Sequence, residues 1–154
     1  MRVIKVIISC ILKLCSYFFK RNSNRIVFGS WFGEFYGDNP KYIYEYLINK
    51  KNNYKLIWIG QESFRKEVPQ THNTEFVVKG TVKAAYYLLT SKYMFVSQSA
   101  ESDFGQFSVY RDAIITHCWH GVPVKKIGSH MDEFKASQAG LKGIVKKVLG
   151  IPTK

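Results

Sequence analysis

Residues 113–128 read AIITHCWHGVPVKKIG, a short apolar run followed by a histidine, a glycine turn and a lysine pair. The run from Ala113 to Cys118 predicts a buried strand, and His120 follows close behind its carboxyl end. A histidine titrates near neutral pH and can take a proton from a hydroxyl group, whereas lysines hold phosphate oxygens as point charges. The stretch therefore joins a strand end to residue types suited to phosphate chemistry.

Four further apolar runs precede this one, with helical patterns between them. The predicted strands are Arg25 to Ser30, Lys55 to Gly60, Thr74 to Gly80 and Tyr93 to Ser97. Asp38 or Asn39 can cap a helix with Pro40 in its first turn, and Thr81 can cap another. Strands alternating with helices favour a parallel sheet covered on both faces, with sites beyond the carboxyl ends of the strands. The predicted fold class is therefore α/β, a Rossmann-like parallel sheet with flanking helices.

The N-terminal stretch has a different pattern. Residues 2–20 read RVIKVIISCILKLCSYFFK, and on a helix the residues Arg2, Lys5, Lys13 and Lys20 fall on one narrow polar stripe. Its longest charge-free run is far shorter than the roughly 20 residues that cross a bilayer. We predict that 1–23 is an amphipathic helix lying on an anionic membrane surface, at the cytoplasmic face of the plasma membrane. The alternatives are a helix packed on the core and a secretory signal.

The charge of +12 is concentrated at the two ends of the chain. Residues 27–134 hold 12 Lys and Arg against 11 Asp and Glu, so the body is nearly neutral. No basic patch is interleaved with exposed aromatic residues, which argues against nucleic acid as a partner. Residues 132–154 form a basic amphipathic tail that can pack on the sheet, contact the membrane or lead to a further domain.

Several common sites are missing from the sequence. The three cysteines form no CxxC pair and no histidine pattern suggests zinc, so we predict no metal and a reducing compartment. The glycines at 29, 33 and 37 lack the lysine and the spacing of phosphate-binding loops. A serine nucleophile elbow is absent as well.

His120 has two interpretations on residue types alone. It can be a turn histidine after a buried strand, with Gly121 supplying the backbone freedom of the turn. It can also be catalytic, because Pro123 can open a helix with Lys125 in its first turn, and both features favour an anionic ligand. His117 is expected to be a packed or hydrogen-bonded neighbour.

The stretch WHGVPVKKIG at 119–128 resembles the WHGTPLK-type motif of the CDP-glycerol glycerophosphotransferases, the teichoic acid and capsule primases and polymerases. The Asp38-Asn39-Pro40 loop after Tyr36 and the stretches LIWIG, VVKG and YMFVSQS are similar to the N-terminal part of that family in the same order. The likeness covers roughly 25–130. Val122 replaces the usual threonine, which removes a hydroxyl group, and Val124 replaces a leucine.

The resemblance implies the N-terminal half of a GT-B fold and a peripheral membrane enzyme. It implies CDP-glycerol as the donor substrate, no cofactor, and a lipid-linked polyol-phosphate acceptor. His120 would be the general base that deprotonates the acceptor hydroxyl, with CMP as the leaving group. We predict that substrate or phosphate is bound by Lys125, Lys126, Gly121 and Asn39.

The resemblance also implies a domain plan. Residues 24–131 would form the acceptor-side domain, and a C-terminal donor-binding half would be absent. We therefore expect a truncated, acceptor-side half with little transferase activity by itself. The alternative is a non-catalytic membrane-surface module that binds a polyol-phosphate polymer or a partner subunit.

Overall fold

A computed structural model of the chain describes residues 11, 16–105 and 111–119. All of them lie within one compact unit. The predicted N-terminal helix and the basic tail fall mainly or wholly outside the described residues, so both stay predictions, as do the domain bounds. Within the described part of the chain, no helix is long and apolar enough to cross a membrane.

Five strands and three α-helices make up the described fold. The strands are β1 (Asn22–Gly29), β2 (Lys55–Gly60), β3 (Thr74–Val78), β4 (Ser91–Val96) and β5 (Ile114–His117). The helices are α1 (Asp38–Asn49), α2 (Val82–Thr90) and α3 (Ala100–Phe104), with short 3₁₀ helices at Trp31–Gly33 and Glu62–Glu67. All five predicted strands are therefore present, but the prediction that the fifth is buried was wrong: β5 lies at the edge of the sheet and is mostly exposed.

The strands form one parallel sheet in the order β3-β2-β1-β4-β5. The chain steps outward from β1 through β2 to β3, then returns to the other side of β1 to place β4 and β5. Ile26 of β1 accordingly pairs with Leu56 on one side and Tyr93 on the other, and Val96 of β4 pairs with His117 of β5. The strand order reverses between β1 and β4, where open α/β sheets form their ligand crevice.

Alternate residues of each strand pack on opposite faces of the sheet. Phe28 and Trp58 face the α1 side, where their parallel rings lie 6.2 Å apart and Tyr44 meets each of them edge-on. Val27 and Ile57 face the other side, against α2 and α3. Complete burial of such side chains stabilises the fold by about 1.5–3 kcal/mol each. The prediction of helices on both faces is confirmed.

The two predicted helix caps had different outcomes. Thr81 caps α2, because its hydroxyl oxygen accepts a hydrogen bond from the Ala84 N–H at 3.2 Å. The cap predicted for α1 was wrong: Gly37 stands at the cap position and no side chain caps the helix. Asp38 has a left-handed φ of 65°, and the Asn39 amide is directed to another part of the chain.

The strand ends differ slightly from the predicted ones. β1 begins at Asn22, three residues before Arg25, so the predicted helix over 1–23 was wrong for its last two residues. β3 ends at Val78, two residues before Gly80. The early end of β3 has a local cause, since Gly80 takes a φ of 81° that few other residues adopt and so starts the turn into α2.

Candidate functional site

The continuation of β5 lies at the carboxyl edge of the sheet. The Cys118 N–H donates to the Val96 carbonyl at 2.7 Å, so pairing with β4 extends one residue beyond the strand. Trp119 follows with a left-handed φ of 51° and a side chain that is 42% exposed. His120, the next residue, lies outside the described residues, as do Gly121, Lys125 and Lys126. Their predicted roles stay predictions.

Asn39, in the first turn of α1, contacts this continuation directly. Its side-chain amide nitrogen donates to the Cys118 carbonyl at 2.8 Å and also to the Trp119 carbonyl. The contact joins residues about 80 positions apart in the sequence. Among the residues predicted to bind substrate or phosphate, Asn39 is therefore the one whose surroundings the structure describes, and its contacts lead towards His120.

The surroundings of the free Cys118 thiol favour its protonated form. Burial raises its pKa, the hydrogen bond with the Val96 backbone lowers it, and the Asp38 carboxylate raises it again, so that the pKa of Cys118 is about 11. One carboxylate oxygen of Asp38 is itself buried and has no hydrogen-bond partner among the described residues. A thiol with so high a pKa is a poor nucleophile at neutral pH.

Histidine 117 lies at the end of β5 beside the loop that follows β4. Its Nδ1 atom is 3.3 Å from the Gln98 carbonyl oxygen, and its side chain is exposed. This is the hydrogen-bonded neighbour that the sequence suggested.

A buried carboxylate joins the loops that follow β1 and β4. Asp103 is fully buried and accepts three backbone hydrogen bonds, from Phe32 at 2.9 Å, Ser97 at 2.8 Å and Gln98 at 3.1 Å. Hydrogen bonds to a charged group contribute about 1.5–3 kcal/mol each. These loops border the point where the strand order reverses, so Asp103 holds together the two loops beside the crevice expected there.

Lys79 reinforces the same connection from the end of β3. Its ammonium group donates to the carbonyls of Phe32 and Ser102, the latter at 2.7 Å. Burial lowers the pKa of Lys79, although the charges of Asp103 and Glu34 act in the opposite direction. Lys79 therefore links the loop after β1 to α3 through these two hydrogen bonds.

Two aromatic residues in the loop after β1 have strained backbones. Trp31 and Phe32 have φ values of 42° and 57°, a region that costs about 1–3 kcal/mol for a side chain that is not glycine. The Trp31 N–H donates to the Ser97 hydroxyl at 2.9 Å, and its ring stacks on Phe35 at 5.5 Å. Phe32 and Phe35 are 46% and 42% exposed. The loop thus displays aromatic rings at the crevice.

The family model for the CDP-glycerol:poly(glycerophosphate) glycerophosphotransferases matches residues 11–149, most of the sequence. The chain belongs to this family. The match includes the 119–128 stretch whose motif carried the resemblance.

Relatives in the family are teichoic acid enzymes. The chain is 33% identical over 116 residues to a teichoic acid glycerol-phosphate transferase of Staphylococcus aureus, covering 74% of this chain and 28% of the relative. It is 29% identical over 115 residues to a teichoic acid poly(glycerol phosphate) polymerase of Bacillus spizizenii, covering 73% and 28%. The chain therefore spans less than a third of the length of these relatives.

Solved structures of the wall teichoic acid polymerase TagF have a similar fold. One matches with a TM-score of 0.64 at 20% identity, and it covers 83% of this chain and 31% of that one. Another, of a variant soaked with CDPG, matches with a TM-score of 0.65 at 22% identity, with coverages of 83% and 30%. At this level of identity the likeness supports the parallel α/β fold alone.

Sequence reasoning did not single out Asp103 or Lys79, although Lys79 lies in the VVKG stretch that resembles the glycerophosphotransferases and Asp103 follows shortly after the YMFVSQS stretch. The position of Lys79 could have indicated its role, because it directly follows β3 at the carboxyl edge of the sheet, the edge at which His120 is predicted to lie. Asp103 had no such signal, since a five-residue helix gives no pattern that distinguishes a buried acid from an exposed one. Among the described residues, no group of three or more His, Cys, Asp and Glu could hold a metal ion.

Proposed function

We propose that this chain forms the acceptor-side part of a glycerophosphotransferase, which moves glycerol phosphate from CDP-glycerol to a lipid-linked polyol-phosphate acceptor. The observation that carries the proposal is the family match across the 119–128 stretch. The fold supports it, because β5 leads towards His120 at the edge of the sheet where ligands of such folds bind. The polymer would be a teichoic acid or a capsular polymer.

His120 is the proposed general base. It takes the proton of the acceptor hydroxyl, whose oxygen attacks the phosphorus that carries glycerol, and the bond from that phosphorus to CMP breaks. Base catalysis of this kind supplies about 10²- to 10⁴-fold in rate. Lys125 and Lys126 offset the charge that develops on the phosphoryl oxygens, and the backbone of Gly121 lets the substrate approach closely.

Binding of the donor, CDP-glycerol, is expected to need more residues than this chain contains. Since the relatives are more than three times as long as the region that they share with this chain, we expect the contacts with cytidine to come from a second, C-terminal half of a GT-B fold. The 154-residue chain assayed by itself should therefore show little transfer.

We also propose that the protein lies at the cytoplasmic face of the plasma membrane as a peripheral protein. The described residues near the end of the stretch predicted as an amphipathic helix support this, because Tyr17 and Phe18 are 68% and 89% exposed beside the exposed Lys20. Aromatic side chains and lysine suit the boundary between lipid and water. Arg2, Lys5 and Lys13 would supply the remaining positive charge towards anionic lipid.

The base assignment can be tested in a chimera that joins this chain to the remaining part of the Staphylococcus aureus transferase. CMP release from CDP-glycerol should be lost in His120→Ala, by at least about 100-fold. His72→Ala is a matched control, because His72 is exposed in the loop before β3, at the opposite edge of the sheet.

Two outcomes would contradict the proposal. Unchanged CMP release in His120→Ala would exclude that histidine as the base. If the chimera binds the lipid-linked acceptor but never releases CMP, the chain is instead a non-catalytic module that binds polyol phosphate.

A further inference from the structure

We infer that Asn39 is a positioning residue for His120, through the two carbonyl groups that precede the histidine. The inference rests on the proposed function, in which His120 takes the acceptor proton, but its structural part stands on described residues alone. Asn39 would then act on the reaction without contacting phosphate.

The hydrogen-bonding capacity of the Asn39 amide supports this role. Its nitrogen carries two hydrogen atoms and has two acceptors, the carbonyl oxygens of Cys118 and Trp119. The remaining side-chain atom, the amide oxygen, only accepts hydrogen bonds, as phosphate oxygens also do. While both contacts are made, Asn39 has no donor left for a phosphate group.

The position of Asn39 is itself rigid. It lies in the first turn of α1, followed by the buried Pro40 and one helical turn later by Tyr44, which is completely buried. The Tyr44 hydroxyl donates to the Pro69 carbonyl at 3.0 Å and so anchors the helix to the chain after β2. An amide held by such a helix can fix the peptide units to which it donates.

The two accepting carbonyls determine where the next residue begins. Each carbonyl lies in the plane of its peptide unit, and the unit that contains the Trp119 carbonyl also contains the nitrogen and Cα atoms of His120. Asn39 therefore holds two successive peptide planes, and the second ends at the Cα of the proposed base. Misplacement of a catalytic group by 1 Å can cost about 100-fold in rate.

Cys118 provides a test that needs no enzymatic activity. In a Cys10→Ser, Cys15→Ser background it is the one thiol of the chain, and its pKa of about 11 makes the thiolate scarce at pH 8. We expect Asn39→Ala to raise the rate of alkylation by iodoacetamide about 10-fold or more, because the released segment exposes the thiol and lowers its pKa towards the usual value.

Two variants sharpen the thiol experiment. Asn39→Leu roughly keeps the size and shape of the side chain but removes the donor without adding a charge, so it should accelerate alkylation as Asn39→Ala does. Asn49→Ala is the matched control, since Asn49 lies at the other end of α1 and its amide donates to the Glu45 carbonyl at 3.0 Å. An alkylation rate in both Asn39 variants equal to that of Asn49→Ala would overturn the inference.

The chimera supplies the kinetic test. If Asn39 positions the base, Asn39→Ala lowers kcat about 100-fold and leaves the KM for CDP-glycerol within about threefold. A raised KM with unchanged kcat would instead show direct binding of the donor and would overturn the inference. A parent chimera without any turnover would contradict the proposed function, and the thiol rates would still decide whether Asn39 holds the segment.

Discussion

Replacing Asp103 by alanine should destabilise the protein more than a typical surface substitution. The side chain is completely buried and accepts hydrogen bonds from three backbone N–H groups in two loops. Three donors would lose a charged acceptor, at about 1.5–3 kcal/mol each, but water that enters the space can satisfy part of the loss. We therefore expect the free energy of unfolding to fall by about 3–5 kcal/mol, the range found when one partner of a buried charged pair is removed.

Thermal and urea unfolding followed by circular dichroism would measure the loss. For a chain of this length each 1 kcal/mol shifts Tm by about 2–4 °C, so Asp103→Ala should lower Tm by roughly 10 °C. Glu101→Ala is the control, because Glu101 lies on the same short helix but is exposed. Asp103→Asn should fall between the two, since its amide keeps one acceptor oxygen. Equal midpoints for Asp103→Ala and Glu101→Ala would refute the role of the buried carboxylate.

Two further predictions concern charge. Burial raises the pKa of Glu75, but hydrogen bonds from Lys55, Lys83 and Tyr87 outweigh it and hold the pKa at about 2. The contribution of ionised Glu75 to the free energy of unfolding is therefore present above the usual carboxyl pKa and is lost as the pH falls towards 2. Because both lysines are partly exposed, this contribution amounts to about 1–2 kcal/mol. Urea unfolding measured from pH 6 to pH 3 should show this loss of stability in the parent protein and not in Glu75→Gln. The same dependence of stability on pH in both proteins would contradict the assignment. Deletion of residues 1–20 should release the protein from anionic vesicles in a flotation assay, and a deleted form that still floats would contradict the proposed membrane contact.

The strands could be predicted from the sequence because each contains a short apolar run, although β1 begins with four polar residues that the prediction left out or placed at its start. A strand in the middle of a parallel sheet is buried on both faces, so β2, which reads KLIWIG, needs no alternation of polar and apolar residues. The order of the strands did not follow from these runs, because it depends on which distant segments pair. The reversal between β1 and β4, which defines the crevice, therefore emerges only in the folded chain.

The candidate site shows the same division between local and distant effects. An asparagine before a proline and an apolar helix normally caps that helix, and a local rule predicts this for Asn39. In the folded chain the amide instead meets two carbonyls about 80 residues away. Gly37 takes the cap position without a side-chain bond, which costs this end of α1 only roughly a few tenths of a kcal/mol, because glycine is itself tolerated at that position.

Strained backbone conformations are concentrated in the loops at the carboxyl edge of the sheet. Trp31 and Phe32 adopt left-handed backbones, Asp38 does so at the start of α1, and Trp119 does so one residue before His120. Such conformations persist only where the surroundings impose them. Here Asp103 holds the backbone of Phe32, and Asn39 holds the carbonyl of Trp119. Two of the strained positions at this edge of the sheet, Phe32 and Trp119, are thus held by side chains on helices, an arrangement that favours a preformed ligand site over loops that order only on binding.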